Sequence, residues 1–106
     1  MRHPTKHISS SLELVVAKTF FQRARGLLGR THLRMEEGMY FPNACSVHTF
    51  GMLFPIDVVY INEYGEILEI HHSLRPFRIS WCRKAHSLCE LAQGVASELG
   101  LQKGQE

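Results

Sequence analysis

Long apolar runs are missing from this chain of 106 residues. The strongest candidate is interrupted by Pro55 and Asp57, far short of the ~18 residues a membrane span needs, so no membrane association is expected. Cysteine is scarce: three residues, an odd number at irregular spacing, do not make a disulfide framework, and a reducing cytosol is the expected compartment. An excess of one charge is missing too. Twelve Lys and Arg against ten Asp and Glu leave a formal charge of +2, too weak a balance to call for nucleic acid. The opening "MRHPTKHISSS" is charged but has no apolar core segment, so no secretory signal is expected. Low-complexity tracts and internal repeats are absent as well.

What is present is an ordinary globular composition, 44% hydrophobic and 21% charged. A chain of this length supports one core, burying roughly two thirds of its unfolded surface. Residues 1–10 read as a polar tail and 11–104 as a single domain. "LELVVA" (Leu12 to Ala17) is a first strand by its β-branched, apolar content. Thr19 can cap a helix with Gln22 three residues on, and Phe20, Ala24, Leu27 and Leu28 share one helical face up to a stop at Gly29.

Short strands follow. "GMYF" and "CSVHTF" come first, and "IDVVYIN" and "EILEIHH" flank "EYG" as a hairpin. Strand 56–62 is apolar on both faces, which predicts a central strand covered on both sides. "RISW" and "HSLCELA" are further strands, and "VASELG" is a short helix between Gly94 and Gly100. The expectation is a mainly β (α+β) domain of about seven short strands, a small closed or partly open β-barrel or sandwich. It carries one N-terminal helix and a short C-terminal helix, with no parallel βαβ pattern.

"RARGLLGR", "GMYF", "SVHTFGMLFPIDVVYIN" followed by "GEILEI", and "CELAQG" together resemble domain-of-unknown-function family 192, from about Leu12 to Gly104. The resemblance implies a small closed β-barrel or sandwich with one or two helices, and no assigned activity. The chain departs from the family pattern at Ala92–Gln93, where the family usually has a proline, and at Gln105, where it tends to have an acid.

The polar residues of the 45–57 stretch are the candidate ligand-binding site: Cys45, His48, Thr49 and Asp57, with Arg25 a further member. His48 and Thr49 alternate along a strand and so face opposite sides. A buried Asp57 needs a partner. Either it accepts backbone N–H groups or pairs with Arg25 or His48 to fix the bend, or it orients His48 in a polar pocket. A Cys45–His48–Asp57 set has the residue types for nucleophilic catalysis, but three-residue spacing on a strand turns Cys45 and His48 apart.

Cys82, His86 and Cys89 include metal-ligand types but lack the paired spacing of zinc knuckles, so neither metal nor cofactor is expected. Arg23, Arg25, Arg30, His32 and Arg34 read as a solvated helix face. Without interleaved exposed aromatics they do not call for nucleic acid. Met39, Met52 and the phenylalanines read as core filling. The leading expectation is a non-enzymatic binding or accessory domain, monomeric or homodimeric, taking a small molecule or a protein near the 45–57 bend. The rivals are a hydrolase or lyase using His48 and Asp57, and an interaction module using the Arg-rich helix.

Overall fold

The structure, a computed structural model, describes residues 13–16 and 37–105. Among these residues seven strands and one short helix form in the order β1 (Glu13–Val16), β2 (Glu37–Pro42), β3 (Ser46–His48), β4 (Ile56–Ile61), β5 (Ile67–Leu74), β6 (Ile79–Trp81), β7 (Ser87–Ala92) and α1 (Val95–Glu98). Five of them make one sheet in the order β1-β2-β7-β4-β5, and β3 and β6 make a separate two-stranded sheet. The fold is mainly β, as composition and alternation predict, with the C-terminal helix where "VASELG" placed it. The N-terminal helix expected over residues 19–29 lies outside the described residues.

Of the expected closed or partly open barrel or sandwich, the closed form is corrected. The larger sheet ends in two edge strands, β1 and β5, and does not close on itself. Closure is unnecessary because both faces of the sheet find cover. Val59, Ile61, Cys89 and Leu91 pack on one side with Val95, Ala96 and Leu101 of the C-terminal segment. Ile56, Val58, Tyr60 and Leu88 pack on the other with Phe41, Met52 and Cys82, and with Val47 of the β3–β6 sheet. Hence every residue of β4 is buried, and the doubly apolar 56–61 run is explained by two different covering layers.

A second expectation also changes. β1 pairs with β2 in parallel, Glu13 beside Glu37 through Val16 beside Tyr40. A parallel pair requires a crossover of a dozen or more residues, and residues 17–36 supply that length. The remaining pairs are antiparallel.

The β4–β5 hairpin turns as its sequence predicts. Asn62 Oδ1 accepts the N–H groups of Tyr64 and Glu66, both at 2.9 Å, and Gly65 takes the positive φ of 86° that the turn requires. Further along, Ile56 pairs with Leu74 but Val58 pairs with His71, so β5 has two residues, His72 and Ser73, opposite Asp57. This is a β-bulge, and Ser73 adopts φ 54° within it. The bulge positions the chemistry described next.

Candidate functional site

Asp57 is fully buried on the α1 side of the large sheet. Its Oδ1 accepts the bulged Ser73 N–H at 2.9 Å, and its Oδ2 accepts the N–H groups of Gly94 and Ala96, each at 3.0 Å. Gly94 stands at φ 90°, a left-handed conformation that lets the chain turn from β7 into α1 while aiming its amide at the carboxylate. One side chain thus ties three segments together. The carboxylate is consumed by structure, which is the backbone-acceptor reading of this residue.

Thr49 is a second buried tie. Its hydroxyl donates to Arg75 O at 2.6 Å and accepts from Arg78 N–H at 2.7 Å, while its carbonyl accepts from Phe77 N–H at 3.2 Å. The 75–78 loop is held so firmly that Phe77 sits at φ 62°, a conformation rarely adopted by a bulky residue.

The sequence-predicted residues do not converge on one pocket. His48 faces outward, stacked on Phe50 with ring centroids 5.9 Å apart, and Cys45 is exposed. The large sheet separates His48 from Asp57, since β3 covers one face and the Asp57 carboxylate serves the other. Arg25 lies outside the described residues. Cys82 and Cys89 are buried, and burial raises both thiols above their ordinary range, while His86 is exposed. Among the described residues no three His, Cys, Asp or Glu side chains are grouped to hold a metal ion.

A polar series that local sequence reasoning missed links the two sheets. Tyr60 OH lies 2.6 Å from Ser80 Oγ, Ser80 Oγ lies 2.5 Å from His71 Nδ1, and His71 Nε2 lies 3.0 Å from Glu69 Oε1. With His71 neutral, Tyr60 donates to Ser80, Ser80 donates to Nδ1, and Nε2–H donates to Glu69. The bond from His71 holds the Glu69 carboxyl below its usual range, and burial pushes the Tyr60 hydroxyl up to about 12. Ser, His and acid are hydrolase residue types, yet Ser80 is buried and engaged by both neighbours. The series works as a polar staple between β4, β5 and β6. Its partners are nine and twenty residues apart, and only the Glu69–His71 alternation was visible locally.

Glu90 is the opposite case. It sits on β7 between Met39 and Val58, its Oε1 has no hydrogen-bond partner among the described residues, and burial pushes its carboxyl up to about 7.

The outward face of β3–β6 is the largest departure from expectation. Two of the phenylalanines read as core filling are exposed instead, Phe50 at 47% and Phe77 at 67%. Ile79 at 59% and Trp81 at 63% join them, with Leu53 at 62% in the adjoining bend. The register explains the arrangement. Trp81 stands opposite Ser46 and Ile79 opposite His48, all outward, while Val47 and Ser80 between them turn inward. Phe50 and Phe77 extend the row with ring centroids 6.2 Å apart. Arg75, Arg78, Arg83 and Lys84 are exposed in the same segments, and neither 42–56 nor 70–89 contains an Asp or Glu.

Comparison with known proteins agrees with this fold. The family model described as "Uncharacterized ACR" (DUF192) matches residues 2–106. A protein of unknown function from Novosphingobium aromaticivorans superposes with a TM-score of 0.79 at 24% identity, over 88% of this chain and 71% of its own. A Sinorhizobium meliloti protein described as a "putative transcription regulator" also superposes at 0.79, with 26% identity over 88% of this chain and 78% of its own. No curated protein matches the sequence.

Proposed function

The chain belongs to domain-of-unknown-function family 192, and from that premise we propose that it is a non-catalytic binding module whose contact surface is the outward face of β3–β6 with the adjoining 50–53 bend. The row of exposed apolar side chains carries the reading: Phe50, Phe77, Ile79 and Trp81 line the outward face of β3–β6, Leu53 is exposed in the adjoining bend, and a large exposed apolar patch marks a contact surface. Aromatic residues and arginine are the side chains that most often anchor interfaces, and both are concentrated here. His48 and Cys45 contribute from the exposed end of the 45–57 stretch. Thr49 and Asp57 support the surface from behind, one by holding the Phe77 loop and the other by holding the core.

Charge selects the partner. A surface with four exposed cations and no acid in its own segments favours an anionic one. A protein segment with apolar anchors between acidic residues suits both properties. A second reading, single-stranded nucleic acid, is favoured by one specific observation: in "RPFRISWCRK" aromatic rings alternate with arginines, as stacking and phosphate contact require. Use of His48 as a base oriented by Asp57 gains no support from the geometry, because the acid's oxygens are taken by amides on the far side of the sheet.

The test is titration of the purified protein with an acidic Leu- and Phe-containing peptide and, separately, with an oligothymidylate. The Trp81 fluorescence is the readout. Binding abolished by Phe77→Ala with Trp81 intact, and weakened by salt, supports the surface. Binding unchanged in Phe77→Ala and Ile79→Ala would rule it out.

A further inference from the structure

The edge of the β3–β6 sheet carries a pair of thiols: Cys45, at the rim of the proposed binding surface, and Cys82, buried behind it. We propose that Cys45 and Cys82 are a reversible disulfide-forming site, with Cys45 the thiol that meets small disulfides and Cys82 the thiol that resolves them. The register of this sheet runs Ser46 opposite Trp81, Val47 opposite Ser80 and His48 opposite Ile79. One step further places Cys45 opposite Cys82, and the Cys82 N–H donates to Cys45 O at 2.8 Å, so the pairing continues to these residues. Directly opposite, hydrogen-bonded residues of an antiparallel pair have Cα atoms about 5.5 Å apart, inside the range that a disulfide spans.

The side chains also share a side. Alternation puts Cys45 with Val47 and Cys82 with Ser80, the face turned toward the large sheet. Their exposure differs in the way a two-step exchange needs. Cys45 is exposed and open to attack on a solution reagent, whereas Cys82 is buried beside the Glu69 carboxylate. Cys89, the third thiol, is fully buried in β7, where it packs with Val59 and Leu91.

The oxidant is a low-molecular-weight disulfide. The Cys45 thiolate attacks one of its sulfurs, the S–S bond breaks, and one thiolate leaves to give a mixed disulfide on Cys45. Cys82 then loses its proton to the Glu69 carboxylate and on to water. Its sulfur attacks the Cys45 sulfur, and the second small thiolate leaves. Two protein thiols are oxidised by two electrons, and the reagent is reduced to two thiols. A dithiol reverses both steps.

The experiment exposes the native, fully reduced chain to oxidised glutathione and follows intact mass, with unreduced peptide mapping. The expected product of the wild type and of Cys89→Ser has lost two hydrogens, carries no adduct and maps as a Cys45–Cys82 link. Cys82→Ser stops with one glutathionyl group on Cys45, and Cys45→Ser gives no intramolecular link. If Cys82→Ser fails to fold, Cys82→Ala replaces it, and the wild-type map alone remains decisive. A wild type that halts at the mixed disulfide, links two chains through Cys45, or pairs either residue with Cys89 overturns the proposal.

Discussion

Removing the Asp57 carboxylate is the sharpest perturbation of this fold. Asp57→Ala leaves the amides of Ser73, Gly94 and Ala96 without their acceptor, and so unties the β5 bulge and the start of α1 from β4 in one step. A hydrogen bond to an ionised acceptor contributes about 1.5–3 kcal/mol, and an orphaned buried donor costs about 1–3 kcal/mol. The three do not count equally, since Ala96 is fully buried whereas Ser73 is exposed and water can serve its amide. The expected loss is therefore about 3–5 kcal/mol. Asp57→Asn is milder. Its remaining oxygen can serve Gly94 and Ala96, but its NH2 then meets the Ser73 N–H, donor against donor, for a loss of about 2 kcal/mol. Urea unfolding is the assay, with a lower midpoint and an unchanged slope expected for both variants. An Asp57→Ala protein within about 0.5 kcal/mol of wild type would refute the structural assignment of this carboxylate.

Glu90 carries a pH dependence of unusual sign. Its carboxyl is raised to about 7 in the folded chain, so between the unfolded value and that point the folded state holds a proton the unfolded state has released. Stability is greatest below the unfolded value and falls by about 3 kcal/mol as pH rises through the folded value, a slope that thermal melts should show and Glu90→Gln should lack. Tyr60→Phe and Ser80→Ala each break the staple between the sheets. Each should cost about 1 kcal/mol, and the double variant should cost less than their sum in a denaturant-unfolding cycle. Gly94→Ala meets no steric obstacle but must hold φ 90°, so strain alone should lower stability by about 1–2 kcal/mol in the same assay. Trp81→Ala, on the exposed face, should stay within about 0.5 kcal/mol of wild type.

The strands were legible because their alternation and turn residues are local. Asn62 and Gly65 announce the hairpin, and the double apolar pattern of 56–61 announces a strand covered on both sides. Covering layers were not legible, since nothing in "IDVVYI" distinguishes a barrel interior from a sheet packed between a helix and a second small sheet. The parallel β1–β2 pair was hidden for a similar reason: its partners are joined by a crossover, and no turn chemistry marks it. Asp57 was recognisable as a residue in need of partners, but its three partners are backbone amides at residues 73, 94 and 96, which carry no residue signature. The exposed face was misread because phenylalanine in a short apolar stretch resembles core. Phe77 is exposed in a loop that the Thr49 tie holds and in which it takes a positive φ.

The contact face is tested most directly by amide and indole chemical shifts of the isotopically labelled chain, titrated with the acidic Leu/Phe peptide and with the oligothymidylate. Saturable shifts concentrated in residues 46–53 and 75–84, including the Trp81 indole N–H, are the predicted result with one of the two probes. Shifts centred on Asp57, Ser73 and Gly94, or no saturable shift on the β3–β6 face with either probe, would contradict it.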